Sequence, residues 1–415
     1  MRFTFFKSLP VQLLLAAISA WLLAQLIPAD YINTDSASFS LLMLAKTTYI
    51  GLLKMVVGIV VMLSLLQGIT SIGSTVKFKQ LGCKTVAFYS FTSIIAISLG
   101  LGASLTLPAW PQLVDPATVT LSEHTQLIDN SSASSDAIIG KLISMALQNP
   151  IAALSNTNLL AIVVFSILLG IALLASLPAK HAVFDVISGL NKAVNTLVSG
   201  IIQFAPYAVF AIVFEFSVTS NGELFGQLAR FAGLVFLLTF IHGAIVLPSI
   251  AKATTGIGFK SLFKALSAPM VMAFTTSSSS ATLPLSMQTA EQELGVSQST
   301  SSMVLPLGAI MNMDGTALFE GVAAIFLAQL YGIDLGTSGY IMIFIMAMVS
   351  SIGAPGMPSG SMSGMQLVLL AAGIPLEAIA ILLIIERPLD TFRTAVNVEG
   401  DIIAALVVDK WQAKA

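Results

Sequence analysis

Long apolar runs separated by short polar segments make up the first 255 residues of the chain. A helix that crosses a bilayer needs about 20 consecutive, mainly apolar residues. Six runs are that long, at about 10–28, 41–70, 85–108, 150–177, 183–217 and 226–250. The pattern therefore predicts six membrane-spanning helices, the second of them long enough to be tilted in the bilayer.

The apolar pattern beyond residue 255 is interrupted four times, at 275–280, 312–316, 353–360 and 393–401. The first and third interruptions are rich in small residues, and the second and fourth carry carboxylates. Interrupted segments at matching positions of two halves mark a transport site. Irregular backbone cannot face lipid, because its amides would lack hydrogen-bond partners. We therefore expect an all-α polytopic membrane protein with two internal repeats around a site in its last third.

Composition agrees with this class, since 56% of the residues are hydrophobic, 9% are charged and the mean hydropathy is +0.94. Soluble proteins carry about 25% charged residues, so a soluble enzyme is excluded. A net charge of −2 leaves no electrostatic footprint for nucleic acid. Basic residues cluster after alternate spans, which predicts cytoplasmic N- and C-termini in the cell (inner) membrane and an external loop at 109–140.

Cysteine and histidine offer little chemistry. Cys83 is the single cysteine, so an intramolecular disulfide or a thiolate cluster is impossible. The three histidines, His124, His181 and His242, are far apart, and none belongs to a pair with metal-ligand spacing. We expect incidental roles for all three.

The first interruption is a run of hydroxyl side chains, Ser277 to Ser280, followed by Pro284. Hydroxyls and free backbone amides at the tip of a helical hairpin can hold a carboxylate at a helix N-terminus. This predicts a substrate contact from Ser278, Ser279 and Ser280. The alternative is a polar loop at the membrane surface.

The second interruption contains Asn312, Met313, Asp314, Gly315 and Thr316 inside an apolar run. A carboxylate within a membrane costs a few kcal/mol. Glycine permits the helix to unwind there, and unwinding frees carbonyl groups. A buried aspartate beside free carbonyls suits a small hard cation such as Na⁺. The alternative is a structural, hydrogen-bonded aspartate.

The fourth interruption combines opposite charges within one helical stretch. Spacings of four and four place Arg393, Asn397 and Asp401 on one helical face, with Asp390 on an adjoining part of it. Arg393 can bind a side-chain carboxylate bidentately, and Asp390 can bind an ammonium. These groups complement an acidic amino acid. The alternative is a self-satisfied Asp–Arg pair that braces the helices.

One further carboxyl, Glu320, lies in an otherwise apolar stretch. Burial favours the protonated form of a carboxylic acid, so Glu320 is a candidate proton carrier. The alternative is a glutamate at the lipid headgroups.

Four ordered motifs together resemble one family, the glutamate transporter homologues, which are dicarboxylate/amino acid:cation symporters. The motifs are Ser277–Pro284, Leu305–Thr316, Ser351–Gly360 and Asp390–Asp401. The resemblance implies an elevator-type transporter, usually a homotrimer, with eight transmembrane helices, two of them broken, and two re-entrant helical hairpins in inverted repeats. The hairpins would turn at Ser277–Ser280, entered from the cytoplasm, and at Gly353–Gly360, which would form the outer gate.

The resemblance also implies a division of the chain. A scaffold would comprise 1–75, with spans 1 and 2, and 141–220, with spans 4 and 5. A moving transport domain would comprise 76–108, with span 3, and 221–415, with span 6, both hairpins and spans 7 and 8. The external loop 109–140 would join them.

Individual roles follow from the same resemblance. Asp390 corresponds to the ligand of the amino group and Arg393 to the arginine that selects acidic side chains. Further substrate contacts would be Thr316, Thr394, Asn397, Gly356 and the hairpin serines. One sodium site would use Gly308, Asn312, Asn397 and Asp401. A second would use Asp314, Tyr89, Thr92 and Ser93. Carbonyls around Met313 and the second hairpin would supply a third.

Two arginines of the family pattern are missing. Archaeal members have an arginine where this chain has Ser277, and animal members have a second arginine where it has Thr391. Arg387, one turn before Thr391, is a candidate replacement. Glu320 matches the glutamate to which the animal transporters' coupled proton is attributed.

We therefore expect an importer of glutamate or aspartate, coupled to Na⁺ and with H⁺ as a second candidate ion. A C4-dicarboxylate carrier is disfavoured by Asp390, which would face no ammonium. A neutral amino acid carrier is disfavoured by Arg393, because we expect a neutral substrate to leave this buried cation unpaired. An ion channel would not need an amino-acid-shaped set of polar groups. An intramembrane serine protease is disfavoured because no histidine follows Ser338 of its G-x-S-G string.

Overall fold

The computed structural model describes residues 9–27, 36–70, 76–113, 140, 143–144, 146–156, 158–178, 180–219, 223–353 and 360–413. All regular secondary structure in these residues is helical. The helices of the first half are α1 (Leu9–Leu26), α2 (Ala37–Thr70), α3 (Val76–Thr106), α4 (Pro150–Ser155), α5 (Leu159–Ser176), α6 (Ala182–Ile202) and α7 (Ala205–Thr219). Those of the second half are α8 (Glu223–Ile241), a π-helix (His242–Val246), α9 (Leu247–Thr255), α10 (Phe259–Thr276), α11 (Ser279–Gln292), α12 (Gln298–Met311), α13 (Asp314–Leu330), α14 (Gly336–Gly353), α15 (Ser361–Ala371), a 3-10 turn (Leu376–Ala378) and α16 (Ile379–Ala413).

The apolar runs form helices long enough to cross a membrane. Within the described residues, four stretches meet the length and hydropathy of a spanning helix, Ala37–Thr70, Leu81–Thr106, Glu223–Thr255 and Gln298–Leu330. A fifth is present if the pair Ala182–Ile202 and Ala205–Glu215, bent by 43°, counts as one span. The protein is therefore membrane-embedded and polytopic. The total of eight spans stays a prediction.

Two of the predicted spans are divided. The run at 150–177 forms α4 and α5, because the Asn158 side chain accepts a hydrogen bond from the Ala161 amide and starts a new helix. The run at 183–217 bends between α6 and α7, where Pro206 lacks the amide hydrogen that the helical ladder needs. The sixth span continues through the π-helix, whose wide turn precedes Pro248.

The first hairpin consists of α10 and α11, joined at Ser277 and Ser278. Ser277 has φ 51°, the left-handed region, and is the one non-glycine residue with positive φ in the described part of the chain. The Ser278 hydroxyl accepts a hydrogen bond from the Ala281 amide and so caps α11. The serine run therefore forms a helical hairpin tip. In the second hairpin, α14 packs against α15, but the connection 354–359, including Gly356, lies outside the described residues.

The second and fourth interruptions differ in backbone. The seventh span is broken between Met311 and Asp314, as expected. The eighth is not, because α16 is continuous from Ile379 to Ala413, so the expectation of a second broken helix was wrong. Asn397 and Asp401 of this stretch bond to the break between α12 and α13, and the backbone of α16 stays helical there.

The helices pack in two groups. Helices α1, α2, α5, α6 and α7 contact one another, with α2 against α5 and α6. Helix α16 is the centre of the other group, in contact with α8, α10, α12 and α13, while α3 packs on α13. Every residue of α13 is buried except Gln329. The two carboxyl groups of α13, on Asp314 and Glu320, thus lie deep in the protein.

Gly100 should be irreplaceable in the contact between α3 and α13. A Cβ there would lie 3.1 Å from the Leu318 carbonyl oxygen and 3.1 Å from Val322 Cγ2, whereas none of the described atoms lies within 4 Å of a Cβ on Gly102. We expect Gly100→Leu to lower the melting temperature of the purified protein in detergent, at a cost of about 1–3 kcal/mol. Gly102→Leu is the matched control, and equal melting temperatures for the two variants would contradict the packing.

Candidate functional site

The candidate site lies where the break between α12 and α13 meets the middle of α16. Asn312, Asp314, Arg393 and Asn397 are all buried there, with exposures of 1%, 0%, 0% and 3%. A buried charge must be paired or hydrogen-bonded. The partners of each group therefore define what the site can bind.

Arg393 is held on one side only. Its Nη2 atom donates to Glu386 Oε1 at 3.1 Å, to Ser361 Oγ at 3.3 Å and to Asp390 Oδ1 at 3.4 Å. Its guanidinium carbon lies 3.9 Å from the centre of the Phe319 ring, which fixes the plane of the group. Nε and Nη1 are buried and have no hydrogen-bond partner in the described residues. They leave two donors for a ligand oxygen.

Three of these partners, Glu386, Ser361 and Phe319, were not predicted from the sequence. Glu386 lies seven residues before Arg393, two helical turns away on the same face, a spacing that could have revealed it. Ser361, at the start of α15, also donates to Glu386 Oε1 at 3.1 Å. Neither Ser361 nor Phe319 carried a sequence signal, because serine and phenylalanine are ordinary residues in apolar helices.

Asn397 joins α16 to the start of α13. Its Oδ1 accepts a hydrogen bond from the Gly315 amide at 2.8 Å, and its Nδ2 lies 3.4 Å from Thr316 Oγ1. A Cβ on Gly315 would lie 3.0 Å from both the Cα and the carbonyl oxygen of Arg393. Glycine is therefore required for this close approach. Thr394 turns back on its own helix, where its hydroxyl donates to the Asp390 carbonyl at 2.7 Å.

One group of oxygens gathers between α3, α12 and α16. Asn312 Nδ2 donates to Asp401 Oδ1 at 2.9 Å and lies 3.4 Å from the Asn397 carbonyl. The Asp401 carboxylate and the Tyr89 hydroxyl both lie in the space that a side chain on Gly308 would fill. Asn312 Oδ1 is buried without a hydrogen-bond partner among the described residues. Such an oxygen suits a hard cation.

A second group surrounds Asp314. Its Oδ1 accepts from Ser93 Oγ at 2.6 Å, and Ser93 Oγ lies 3.4 Å from Ser351 Oγ. Its Oδ2 lies 3.0 Å from His242 Nε2, and both side chains are fully buried. His242, expected to be incidental, is therefore part of the site, and that expectation was wrong. The π-helix that holds it is a tertiary feature without a clear sequence signal.

The remaining predicted cation ligands have hydrogen-bond partners within the protein, Tyr89 on α12 and the other two within their own helices. The Tyr89 hydroxyl donates to the Val304 carbonyl at 2.9 Å, and the Thr92 hydroxyl donates to the Tyr89 carbonyl at 3.1 Å. The Met313 carbonyl accepts from the Ala317 amide at 2.8 Å. Among the described residues, no three His, Cys, Asp or Glu side chains group as a transition-metal site would require.

Glu320 is fully buried in α13, so the lipid-headgroup alternative was wrong. Its Oε1 and the Ser350 hydroxyl occupy the space next to Gly364, where any side chain would collide with both. Arg393 lies near enough to act on the Glu320 carboxyl electrostatically. This carboxyl is therefore electrostatically coupled to the candidate substrate site.

The hairpin serines border a cavity between the two groups of helices. Ser278 and Ser279 are buried and Ser280 is exposed. Ser278 and Ser280 line a cavity of about 430 Å³ that the tip shares with polar residues of α2 and α6, among them Gln67 and Asn191. The structure thus places the tip of the first hairpin against the other group of helices.

Comparison with known proteins gives one family. A family model described as the sodium:dicarboxylate symporter family matches residues 9–411. The chain is 32% identical over 413 residues to the proton/glutamate-aspartate symporter of Escherichia coli, covering 98% of this chain and 93% of that protein. It is 31% identical to the proton/sodium-glutamate symport protein of Geobacillus stearothermophilus, covering 88% and 86%. It is also 31% identical to the neutral amino acid transporter B(0) of Mus musculus, covering 87% and 72%.

The contact between His242 and Asp314 should be energetically coupled. Either single variant, His242→Leu or Asp314→Leu, leaves one buried polar group without its partner, and the double variant removes both. We expect the double variant to lower the melting temperature by less than the sum of the single shifts, with a coupling of about 0.5–3 kcal/mol. His181→Leu combined with Asp314→Leu is the control and should be additive. Additive shifts for both pairs would refute the contact.

Proposed function

Because this chain belongs to the sodium:dicarboxylate symporter family, we propose that it is a secondary active symporter that imports glutamate or aspartate with Na⁺. The family consists of transporters, which sets an enzymatic role aside. Two relatives are named for proton or sodium symport of these acidic amino acids. The proposal for this chain depends on its own site residues.

The proposal of an acidic substrate rests on one observation, that only part of the Arg393 guanidinium is hydrogen-bonded. Its Nη2 is engaged by Glu386, Ser361 and Asp390, while Nε and Nη1 have no hydrogen-bond partner in the described part of the chain. A guanidinium presents its donors in a planar fork that matches a carboxylate. A substrate carboxylate would complete the hydrogen bonding of a fully buried cation. Phe319 would hold the fork in plane.

Asp390 supports an amino acid rather than a C4-dicarboxylate. It is 5% exposed and lies within 3.4 Å of Arg393 and 3.7 Å of Arg387. An ammonium group would find a carboxylate there, whereas a second substrate carboxylate would meet like charge. Arg387 supplies a second cation beside the proposed amino-group ligand, where it can stand in for the missing family arginine. Thr316, Thr394, Asn397 and, from the hairpins, Ser278, Ser279, Ser280 and Gly356 complete the proposed substrate contacts.

Two oxygen clusters support sodium coupling. Asn312, Asn397, Asp401 and Gly308 form the first proposed site, where the unpartnered Asn312 Oδ1 is available to a cation. Asp314, Ser93, Tyr89 and Thr92 form the second, and carbonyls around Met313 a third. The first cluster includes residues of α16 and the second includes a residue of α13, and these two helices also carry proposed substrate contacts. Cation binding at the helix break would therefore order the same backbone that binds the amino acid.

Glu320 supports H⁺ as a further coupling ion. It is a fully buried carboxyl next to the hydroxyl of Ser350 and within electrostatic reach of Arg393. Carrying a proton would neutralise its charge inside the membrane, where a bare charge costs several kcal/mol.

The packing supports elevator-type alternating access. The described helices of 221–413 and span 3 contact one another around α16, and α1, α2, α5, α6 and α7 form a second group, which meets the first where α7 packs on α16 and α2 on α14 and α15. We assign the first group to the transport domain and the second to a trimeric scaffold, with both termini on the cytoplasmic side of the cell membrane. The polar cavity between them at the first hairpin is where such domains would slide.

A neutral amino acid symporter is the second candidate, favoured by Glu386. The expectation that a neutral substrate would leave Arg393 unpaired was wrong, because Glu386 already pairs with it at 3.1 Å. Relatives of comparable identity include neutral amino acid transporters. The two candidates differ in whether Nε and Nη1 of Arg393 receive a substrate oxygen.

Arg393→Cys should separate these candidates. We expect it to abolish uptake of radiolabelled aspartate and glutamate into proteoliposomes under an inward Na⁺ gradient and to admit a neutral amino acid such as serine. Loss of one charged hydrogen bond costs about 1.5–3 kcal/mol, and loss of a fork costs more. Arg230→Cys, an exposed arginine of α8, is the control. Unchanged aspartate uptake by Arg393→Cys would remove the basis for the acidic substrate.

Glu320→Gln should remove proton coupling alone. We expect wild-type uptake to rise when an inward H⁺ gradient is added to a fixed Na⁺ gradient, and the Glu320→Gln protein to lose that increase while retaining its Na⁺ dependence. Glu293→Gln, an exposed carboxyl in the first hairpin, should behave as wild type. If wild-type uptake never responds to the H⁺ gradient, the proton proposal fails and the sodium proposal stands.

A further inference from the structure

A carboxylate on the opposite side of α16 has no role in the proposed symport. Glu399 lies two residues from both Asn397 and Asp401, which is about 200° around the helix. It therefore points away from the candidate site, toward α8, the π-helix and α10. Its exposure is 0%, and neither of its oxygens has a hydrogen-bond partner in the described residues. An ionised carboxyl group that is buried without partners is costly, so a cation that reaches Glu399 would stabilise its ionised form.

That environment is a cavity of about 320 Å³ between α8, the π-helix, α10 and α16. Small-molecule sites start at roughly this size and are mostly apolar with a few polar groups. Four phenylalanines contribute to the lining, Phe240, Phe263, Phe274 and Phe392. Glu399 is the sole polar or charged side chain among the lining residues described.

The backbone leaves room for this carboxylate. A Cβ on Gly243, in the π-helix, would lie 3.1 Å from Glu399 Oε2 and 2.8 Å from Val396 Cγ2. The absence of a side chain at Gly243 thus lets the carboxylate reach the cavity wall. The preceding residue, His242, contacts Asp314, so the same turn of helix borders both the cavity and the candidate cation site.

The rim of the cavity is apolar and open. Phe240, Val271 and Phe274 line it with exposures of 50%, 64% and 43%. A molecule that enters must pass apolar side chains before it meets the single negative charge inside. An apolar rim with a carboxyl group behind it favours an amphiphile with one positive group and disfavours anions, including the acidic substrate.

We propose that this cavity is a second ligand site, which binds a small organic ammonium with an apolar body. The ammonium pairs with the Glu399 carboxylate, and the body packs against the phenylalanine rings, whose faces also attract cations. The charge complementarity is specific, because an ammonium offers a buried carboxylate both an opposite charge and hydrogen bonds, whereas a neutral isostere offers at most a hydrogen bond. The site is independent of the transported substrate.

Three ligands of equal shape test this site: 4-phenylbutylamine, 4-phenylbutanol and 4-phenylbutyrate, each titrated calorimetrically into the purified full-length protein in detergent. We expect the amine to bind at least about tenfold more tightly than the alcohol, and the acid to bind more weakly than either. In Glu399→Gln the preference for the amine over the alcohol should disappear. Equal affinities for amine and alcohol in the wild type would overturn the proposal and leave Glu399 a purely structural group.

Further variants show where the ligands bind, and they keep the test valid if the Glu399→Gln protein is unstable. Ala244→Phe should fill the cavity and weaken both the amine and the alcohol, and unchanged binding there would show that the ligand lies elsewhere. Asp390→Asn removes the carboxylate of the proposed substrate site and should keep the amine preference. Loss of the preference in Asp390→Asn, with its retention in Glu399→Gln, would assign the amine to the substrate site and refute the second site. Glu293→Gln should bind all three ligands as the wild type does.

Discussion

The whole arrangement depends on one buried cation, the guanidinium of Arg393. A charge without water must be surrounded by partners, and the partners come from three helices of the chain. Glu386 and Asp390 supply negative charge from α16 itself, Ser361 comes from the start of the second hairpin, and Phe319 comes from α13. The position of each of these elements is thus tied to one side chain. Because its donors are used on one side only, the same constraint that organises the helices also leaves room for a carboxylate.

The helix break between α12 and α13 is the second constraint, and it complements the first. Unwound backbone is tolerated inside a membrane protein only where the protein satisfies it. Here Asn397 accepts the free Gly315 amide, and Asn312 and Asp314 are anchored to Asp401, Ser93 and His242. Gly315 lets α13 approach Arg393 closely. The candidate substrate and cation groups are therefore parts of one structural unit, formed by the helix break and the middle of α16, which is a physical basis for binding both together.

The chain is similar both to glutamate symporters and to neutral amino acid transporters, and this unit contains the residues on which the choice between these substrates depends. Arg393 is the group that we propose to select an acidic side chain, and Glu386 neutralises it in part, so the charge of Arg393 is not unpaired without a substrate. On the other face of α16, Glu399 has no hydrogen-bond partner among the residues that the structure describes and no place in this unit. One helix thus carries a group of buried charges that the protein pairs in part and, on its other face, a single carboxyl group beside an apolar cavity.

The sequence by itself determined the class, because scarce charge and long apolar runs admit a membrane protein and little else. It also predicted the first hairpin, the break at Asn312 and the shared face of Arg393, Asn397 and Asp401, since helical periodicity and glycine or serine interruptions are local signals. Tertiary structure decided the continuity of α16, the contact of His242 with Asp314, the pairing of Arg393 with Glu386 and the isolation of Glu399. Each of these depends on which side chains meet across helices distant in sequence. Whether a polar segment breaks a helix, and whether a buried charge finds a partner, is settled by those neighbours and not by the residue's own stretch of chain.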